Sequence, residues 1–270
     1  MDTSTATETF SKSMYITPET TPRFLGDRLL LSSRLWFYVR FARVLFRSNR
    51  LARIGQYGEQ EWIDSSFQIF RDIEGCGGRF FIEGLDNLRE SPEPMVLVSN
   101  HMSTLETMVF PSIIAPFRSL SFIVKDALVK GFVFGPIMRS RNPVVVGRKK
   151  AMADLRVVMT KGEEVLKQRQ QSLVIFPQST RTTAFYPEKF NSMGVKLAKK
   201  AGVKILPIAI KTDFWGNGSV IKEFGPIRRK KTIHMCFGKP MSVTGNGKDE
   251  HQAILSFIGS QLEKWWAETH

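Results

Sequence analysis

Residues 99–107 read SNHMSTLET and follow the apolar run at 95–98, placing His101 and Glu106 five positions apart. An imidazole that takes a proton and a carboxylate that orients the ring are the two parts of a general base. On one continuous helix, residues five apart diverge by about 140°, so contact requires His101 in a loop and Glu106 in the first turn of the next helix. Ser103 and Glu106 have the S-x-x-E spacing of a capping box, which starts a helix at that place. The same box would let Glu106 do no more than return a hydrogen bond to the Ser103 backbone. Spacing alone leaves both readings open.

Two further segments carry polar chemistry. VIFPQSTRT, residues 174–182, ends an apolar run in a turn holding Gln178, Ser179, Thr180 and Arg181. An arginine fork there suits a phosphate or oxyanion, although a plain polar turn fits as well. Residues 124–150 bring Lys125, Arg139, Arg141 and Arg148 around glycines, either as a phosphate-binding block or as a solvated basic loop. Cys76 and Cys236 have no metal-ligand spacing, so neither a metal site nor a disulfide framework is expected.

The elements that must position these groups follow from hydrophobic period. Short apolar runs at 95–99, 121–124, 173–176, 205–211 and 232–237 predict strands. Helical patterns at 106–114, 149–168 and 192–200 fall between them, and 252–266 closes the chain with an amphipathic helix. Such alternation predicts an α/β domain over 75–270, its sheet mostly parallel or mixed and covered by helices. In that class ligands collect beyond the carboxyl ends of strands, where His101 stands.

Ahead of that domain, residues 26–74 predict an amphipathic helical segment. Arg40, Arg43, Arg47 and Arg50 gather on one side of a helix over 27–53, with Phe37, Tyr38, Phe41, Val44 and Leu45 on the other. This suits a helix lying in a membrane interface, aromatics toward acyl chains and arginines toward phosphates, or one packed on the protein's own core. Residues 59–73 repeat a helical pattern. The first residues carry Asp2 and Glu8 without a basic cluster and apolar core, so 1–25 reads as a flexible tail rather than a secretory signal. With 39 Lys+Arg against 25 Asp+Glu, a formal +14, the chain expects an anionic partner. No nucleic-acid module is visible, and the arginines are interleaved with Leu, Phe and Trp as at a lipid surface, so no nucleic acid is expected.

Taken in order, the segments resemble the glycerolipid acyltransferase family typified by 1-acylglycerol-3-phosphate O-acyltransferases. That family carries N-H-x-x-x-x-D, a K…P…G…R block, F-P-E-G-T-R and a V-P-V-like strand. Here these stand as Asn100-His101…Glu106, Lys125…Gly135…Arg148, FPQSTR at 176–181 and ILPI at 205–208. The resemblance implies an α/β acyltransferase in which His101 is the general base and Glu106 its orienting carboxylate. Arg181, Arg148 and Lys125, with Thr180, Gln178 and Ser179, would bind the acceptor. It also implies an acyl-CoA or acyl-carrier-protein donor, a lysophospholipid acceptor, no cofactor beyond the donor's thioester, and peripheral attachment to the cytoplasmic face of the inner membrane. Two departures stand out: Glu106 replaces the family's Asp, and Gln178-Ser179 replaces its Glu-Gly. A different lipid acceptor, or a non-catalytic membrane or nucleic-acid binder of the same fold, are the alternatives.

Overall fold

A computed structural model describes residues 5–147, 151–178, 180–219 and 221–268. The chain runs α1 (Ala6–Thr9), β1 (Met14–Ile16), α2 (Leu25–Leu29), α3 (Arg34–Arg53), α4 (Glu59–Gly75), β2 (Phe80–Glu83) and β3 (Val96–Ser99). It continues with α5 (Leu105–Ile114), β4 (Leu120–Lys125), α6 (Asp126–Lys130), α7 (Phe134–Ser140), β5 (Val144–Val146) and α8 (Ala151–Lys167). Last come β6 (Ser172–Ile175), α9 (Met193–Ala201), β7 (Ile205–Lys211), β8 (Ile233–Phe237) and α10 (Lys248–Ala267).

The strands form one mixed sheet in the order β1-β2-β8-β7-β3-β6-β4-β5. From β7 to β5 every pairing is parallel, while β8 lies antiparallel to β7 and β1 antiparallel to β2. β3 and β6 are buried along their whole length, as strands covered on both faces must be. β3 therefore delivers His101 from the middle of the sheet, with α5 leaving directly behind it.

Three expectations need correction. Residues 5–25 are not a loose tail: β1 adds to the sheet edge, with Tyr15 opposite Ile82, and Thr17 and Tyr15 hydroxyls both donate to the buried Glu74. A three-residue strand is too short to show a period, and its partner lies far along the chain. The block after Lys125 is not an open basic loop, because α6, α7 and β5 fold within it. Arg139 donates to the Val129 carbonyl and Arg141 lies over the Trp62 ring.

The third correction concerns α3. Its aromatic side packs on the protein, with Phe37 and Phe41 edge-on to Trp215 at 4.8 and 4.9 Å between ring centres. Tyr38 donates to the Gly225 carbonyl at 2.6 Å. Arg40 is not offered to lipid, since it pairs with the buried Asp72 at 2.6 Å and covers the Phe24 ring. The outward side of α3 carries Leu35, Val39 and Phe46 among the exposed Arg43, Arg47 and Arg50. Exposed Leu29, Leu30 and Leu31 extend that surface from the α2–α3 turn, which Asp27 anchors through ion pairs to Arg23 and Arg229. At the other end, Asn49 donates to the carbonyls of Phe132 and Val133, and Arg53 lies over the exposed Phe132 ring. Among the described residues no helix is long and apolar enough to cross a membrane.

Candidate active site

The chain leaving β3 is fixed before it reaches His101. Asn100 exchanges two hydrogen bonds with the Ile210 backbone on β7, at 2.8 and 2.9 Å, a strut that locks the loop to the neighbouring strand. Gln178 accepts from the His101 N–H at 2.8 Å, and the His101 carbonyl accepts from the Thr182 N–H at 3.0 Å. The imidazole stacks on Phe176 with 4.3 Å between ring centres. Backbone and ring are thus held from three sides.

Glu106 occupies the first turn of α5 with no solvent exposure. Its Oε1 accepts from His101 Nδ1 at 2.8 Å and from the backbone N–H groups of Met102 and Ser103 at 2.8 and 2.9 Å. The hydroxyls of Ser103 and Thr212 donate to Oε2 at 2.9 and 2.7 Å. Two readings of the spacing therefore meet in one side chain: Glu106 returns a hydrogen bond to the Ser103 backbone and also addresses the ring. The helix is capped at Thr104, however, and the expected Ser103 capping box does not form. Burial pushes its carboxyl upward, but hydrogen bonding and charge from His101, with the Ser103 N–H and Thr212, win and hold it below the ordinary value. An ionised acceptor at Nδ1 requires the Nδ1–H tautomer, which leaves Nε2 with a lone pair.

His101 lines a cavity of about 250 Å³. Its lining includes the apolar Val44 and Leu45 of α3, Ile69 of α4, Phe122 of β4 and Ile137 of α7. It also includes Lys125, Thr180, Arg181, Lys222 and Glu223. Arg181 donates to the Thr104 hydroxyl and to Glu223 Oε1, the latter at 2.7 Å. Lys125, Thr180 and Arg181, inferred from separate segments, thus converge beside His101.

Gln178 does not join them. Its Oε1 holds the His101 backbone and its Nε2 donates to the Thr182 hydroxyl at 3.0 Å, so its amide braces the loop. Arg148 and Ser179 lie outside the described residues. Thr212, Asn100's strut and Glu223 were missed as site residues. Thr212 reaches Glu106 from 106 positions away and Glu223 reaches Arg181 from 42, where no local spacing signals them. Among the described residues no group of His, Cys, Asp and Glu is arranged to hold a metal.

A family model described as Acyltransferase matches residues 79–211. The 1-acyl-sn-glycerol-3-phosphate acyltransferase of Pseudomonas aeruginosa is 29% identical over 211 residues, covering 78% of this chain and 75% of that protein. The chloroplastic 1-acyl-sn-glycerol-3-phosphate acyltransferase of Arabidopsis thaliana is 30% identical over 129 residues, covering 48% of this chain and 35% of that one. The crystal structure of the 1-acyl-sn-glycerophosphate acyltransferase from Thermotoga maritima superposes with a TM-score of 0.61 at 20% identity. That match covers 87% of this chain and 95% of the other, and it shows the fold.

The depressed Glu106 carboxyl has a consequence for stability. A carboxyl with a folded-state value below its unfolded value stabilises above the unfolded value, about pH 4.3 for Glu, and that contribution is lost as pH falls through the folded value. Urea unfolding of the wild type and Glu106→Gln between pH 7 and pH 3 should show a stability gap that is largest at neutral pH and shrinks on acidification. A gap independent of pH would contradict an ionised Glu106.

Proposed function

The chain belongs to the acyltransferase family and is an acyltransferase enzyme, and from that premise we propose that it moves a fatty acyl group from an acyl thioester to the hydroxyl of a lysophospholipid such as 1-acylglycerol-3-phosphate. The observation that carries this reading is the Nδ1–Glu106 hydrogen bond, which leaves Nε2 as the base of a residue lining a cavity with both apolar and basic side chains.

His101 Nε2 removes the proton of the acceptor hydroxyl as its oxygen attacks the thioester carbonyl. Glu106 stabilises the imidazolium without taking the proton. When the tetrahedral intermediate collapses, the C–S bond breaks and the thiolate leaves with the proton from His101. No acyl-enzyme is needed, because the acceptor is itself the nucleophile. No cofactor beyond the donor's thioester enters this sequence. Arg181 and Lys125 supply the positive charge that an acceptor phosphate requires, and the apolar wall suits hydrocarbon. Both acyl-CoA and acyl-carrier protein present the same thioester to this base.

The reaction is proposed to take place on a membrane surface, with the protein bound peripherally to the cytoplasmic face of the inner membrane. The outward side of α3 and its flanking turns support this: Leu29, Leu31, Leu35, Val39, Phe46 and Phe132 stand exposed among Arg43, Arg47 and Arg50. Apolar groups ringed by arginines are the composition of an interfacial surface. Because Val44 and Leu45 on the opposite side of the same helix line the cavity, α3 would separate lipid from the acyl site by one helix width.

Acyl transfer from labelled acyl-CoA and acyl-carrier protein to a panel of lysolipids should be lost by about 10²- to 10⁴-fold in His101→Ala. Full activity in that variant would overturn the base assignment. Flotation with anionic liposomes tests the surface. Reversing Arg43, Arg47 and Arg50 together to Glu should weaken binding at least about tenfold, since each arginine near anionic lipid is worth about 1 kcal/mol. Undiminished binding would refute this docking face.

A further inference from the structure

Glu223 is a carboxylate placed where an acceptor phosphate would be expected to meet the site's arginine. It pairs with Arg181 at 2.7 Å, and both side chains are partly buried, 15% exposed for Arg181 and 30% for Glu223. Lys125 and Lys222 line the same wall. Burial pushes the Glu223 carboxyl upward, but its bond to Arg181 and the charges of Arg181 and Lys125 outweigh that and hold it below the ordinary value. Glu223 comes from the segment after β7, outside the motif that carries Arg181.

The backbone under Glu223 is fixed. Its carbonyl accepts from the Trp215 indole at 2.9 Å, and the next carbonyl but one, that of Gly225, accepts from Tyr38 at 2.6 Å. The neck of the loop is closed by Gly216 N–H donating to the Pro226 carbonyl at 2.9 Å. A Cβ on Gly225 would stand 1.8 Å from the Gly216 carbonyl oxygen, so the two strands of the neck touch. The carboxylate therefore turns on a stationary base, and it can leave Arg181 while remaining close to Lys125 and Lys222.

We propose that Glu223 sets acceptor specificity by occupying Arg181 until a phosphate monoester displaces it. This inference rests on the acceptor reading above. An uncovered arginine would take any anion. A pre-formed ion pair imposes a threshold, because a ligand must outcompete a carboxylate already in place. A phosphate monoester, with a charge of about −1.5 to −2 at neutral pH, brings more charge and more acceptor oxygens than Glu223 does. A phosphodiester brings a single negative charge, and a neutral glycerolipid brings none. The pair thus admits acceptors ending in a monoester and disfavours lysophospholipids whose phosphate is capped.

The test compares wild type with Glu223→Gln and Glu223→Ala in the full chain, with thermal melts confirming that each folds. Acyl transfer is measured to 1-acylglycerol-3-phosphate and to 1-acylglycerophosphoglycerol, and calorimetry measures binding of sn-glycerol 3-phosphate and glycerophosphoglycerol. In both variants KM should fall for each anionic acceptor, by about two- to fivefold given the strength of partly exposed ion pairs. The diester should gain more, so that the preference for the monoester narrows and the change lies in KM rather than kcat. A raised KM for the monoester in both variants would instead make Glu223 a brace for Arg181 and overturn the gate, as would an unchanged preference. If wild type transfers to neither acceptor, the acceptor reading fails. Headgroup titration then judges the gate separately, and no tightening in Glu223→Gln sinks it.

Discussion

A carboxylate with no exposure to water must stay ionised beside His101, and much of the surrounding chain is arranged to keep it so. Removing such a group from water costs several kcal/mol. Five donors converge on Glu106 to offset this, two of them backbone N–H groups of the β3–α5 loop and one the imidazole itself. Hydrogen bonds to a charged acceptor contribute about 1.5–3 kcal/mol each. The geometry of the loop is therefore a condition for the charge, and the charge is a condition for the tautomer of His101. Glu106, in place of the family's Asp, turns its Oε1 onto the Met102 and Ser103 amides.

The second organising element is α3, which serves both of its sides. One side lines the cavity with Val44 and Leu45 and clasps Trp215 between Phe37 and Phe41. The other presents leucines, Phe46 and arginines outward. Through Tyr38 and Trp215 the same helix supports the loop that carries Glu223. The cavity wall, the proposed membrane face and the proposed acceptor gate are consequently tied to one helix. Docking against lipid would orient the cavity without any rearrangement inside it.

Much of the site is legible in the sequence because its signals are local. An apolar run ending at Ser99 announces a buried strand, and a strand end announces where His101 and a capping Glu106 can meet. Arg181 and Lys125 likewise follow strands β6 and β4. What escapes notice is what the tertiary fold brings together. Thr212 completes the carboxylate cage from β7's far end, and Glu223 reaches Arg181 from a loop with no pattern of its own. The direction of α3 is hidden for a different reason: a 3.6-residue period shows that a helix has two unlike sides, not which side meets the core. Its aromatics are drawn inward by Trp215, a partner some 175 positions away by sequence number, and the weaker apolar stripe of Leu35, Val39 and Phe46 is left outside. Gln178 shows the reverse failure, since its position in a binding motif suggests an acceptor contact while its amide braces the His101 backbone.

The proposed chemistry turns on Glu106 fixing which nitrogen of His101 carries the proton. Nitrogen-15 NMR of the imidazole in the folded protein, at a pH where the ring is neutral, reads this directly. The expected result is a protonated Nδ1 engaged in the Glu106 hydrogen bond and an unprotonated Nε2, with the preference lost in Glu106→Gln. A ring protonated at Nε2 in the wild type would contradict it, because the nitrogen facing the acceptor would then have no lone pair with which to act as base.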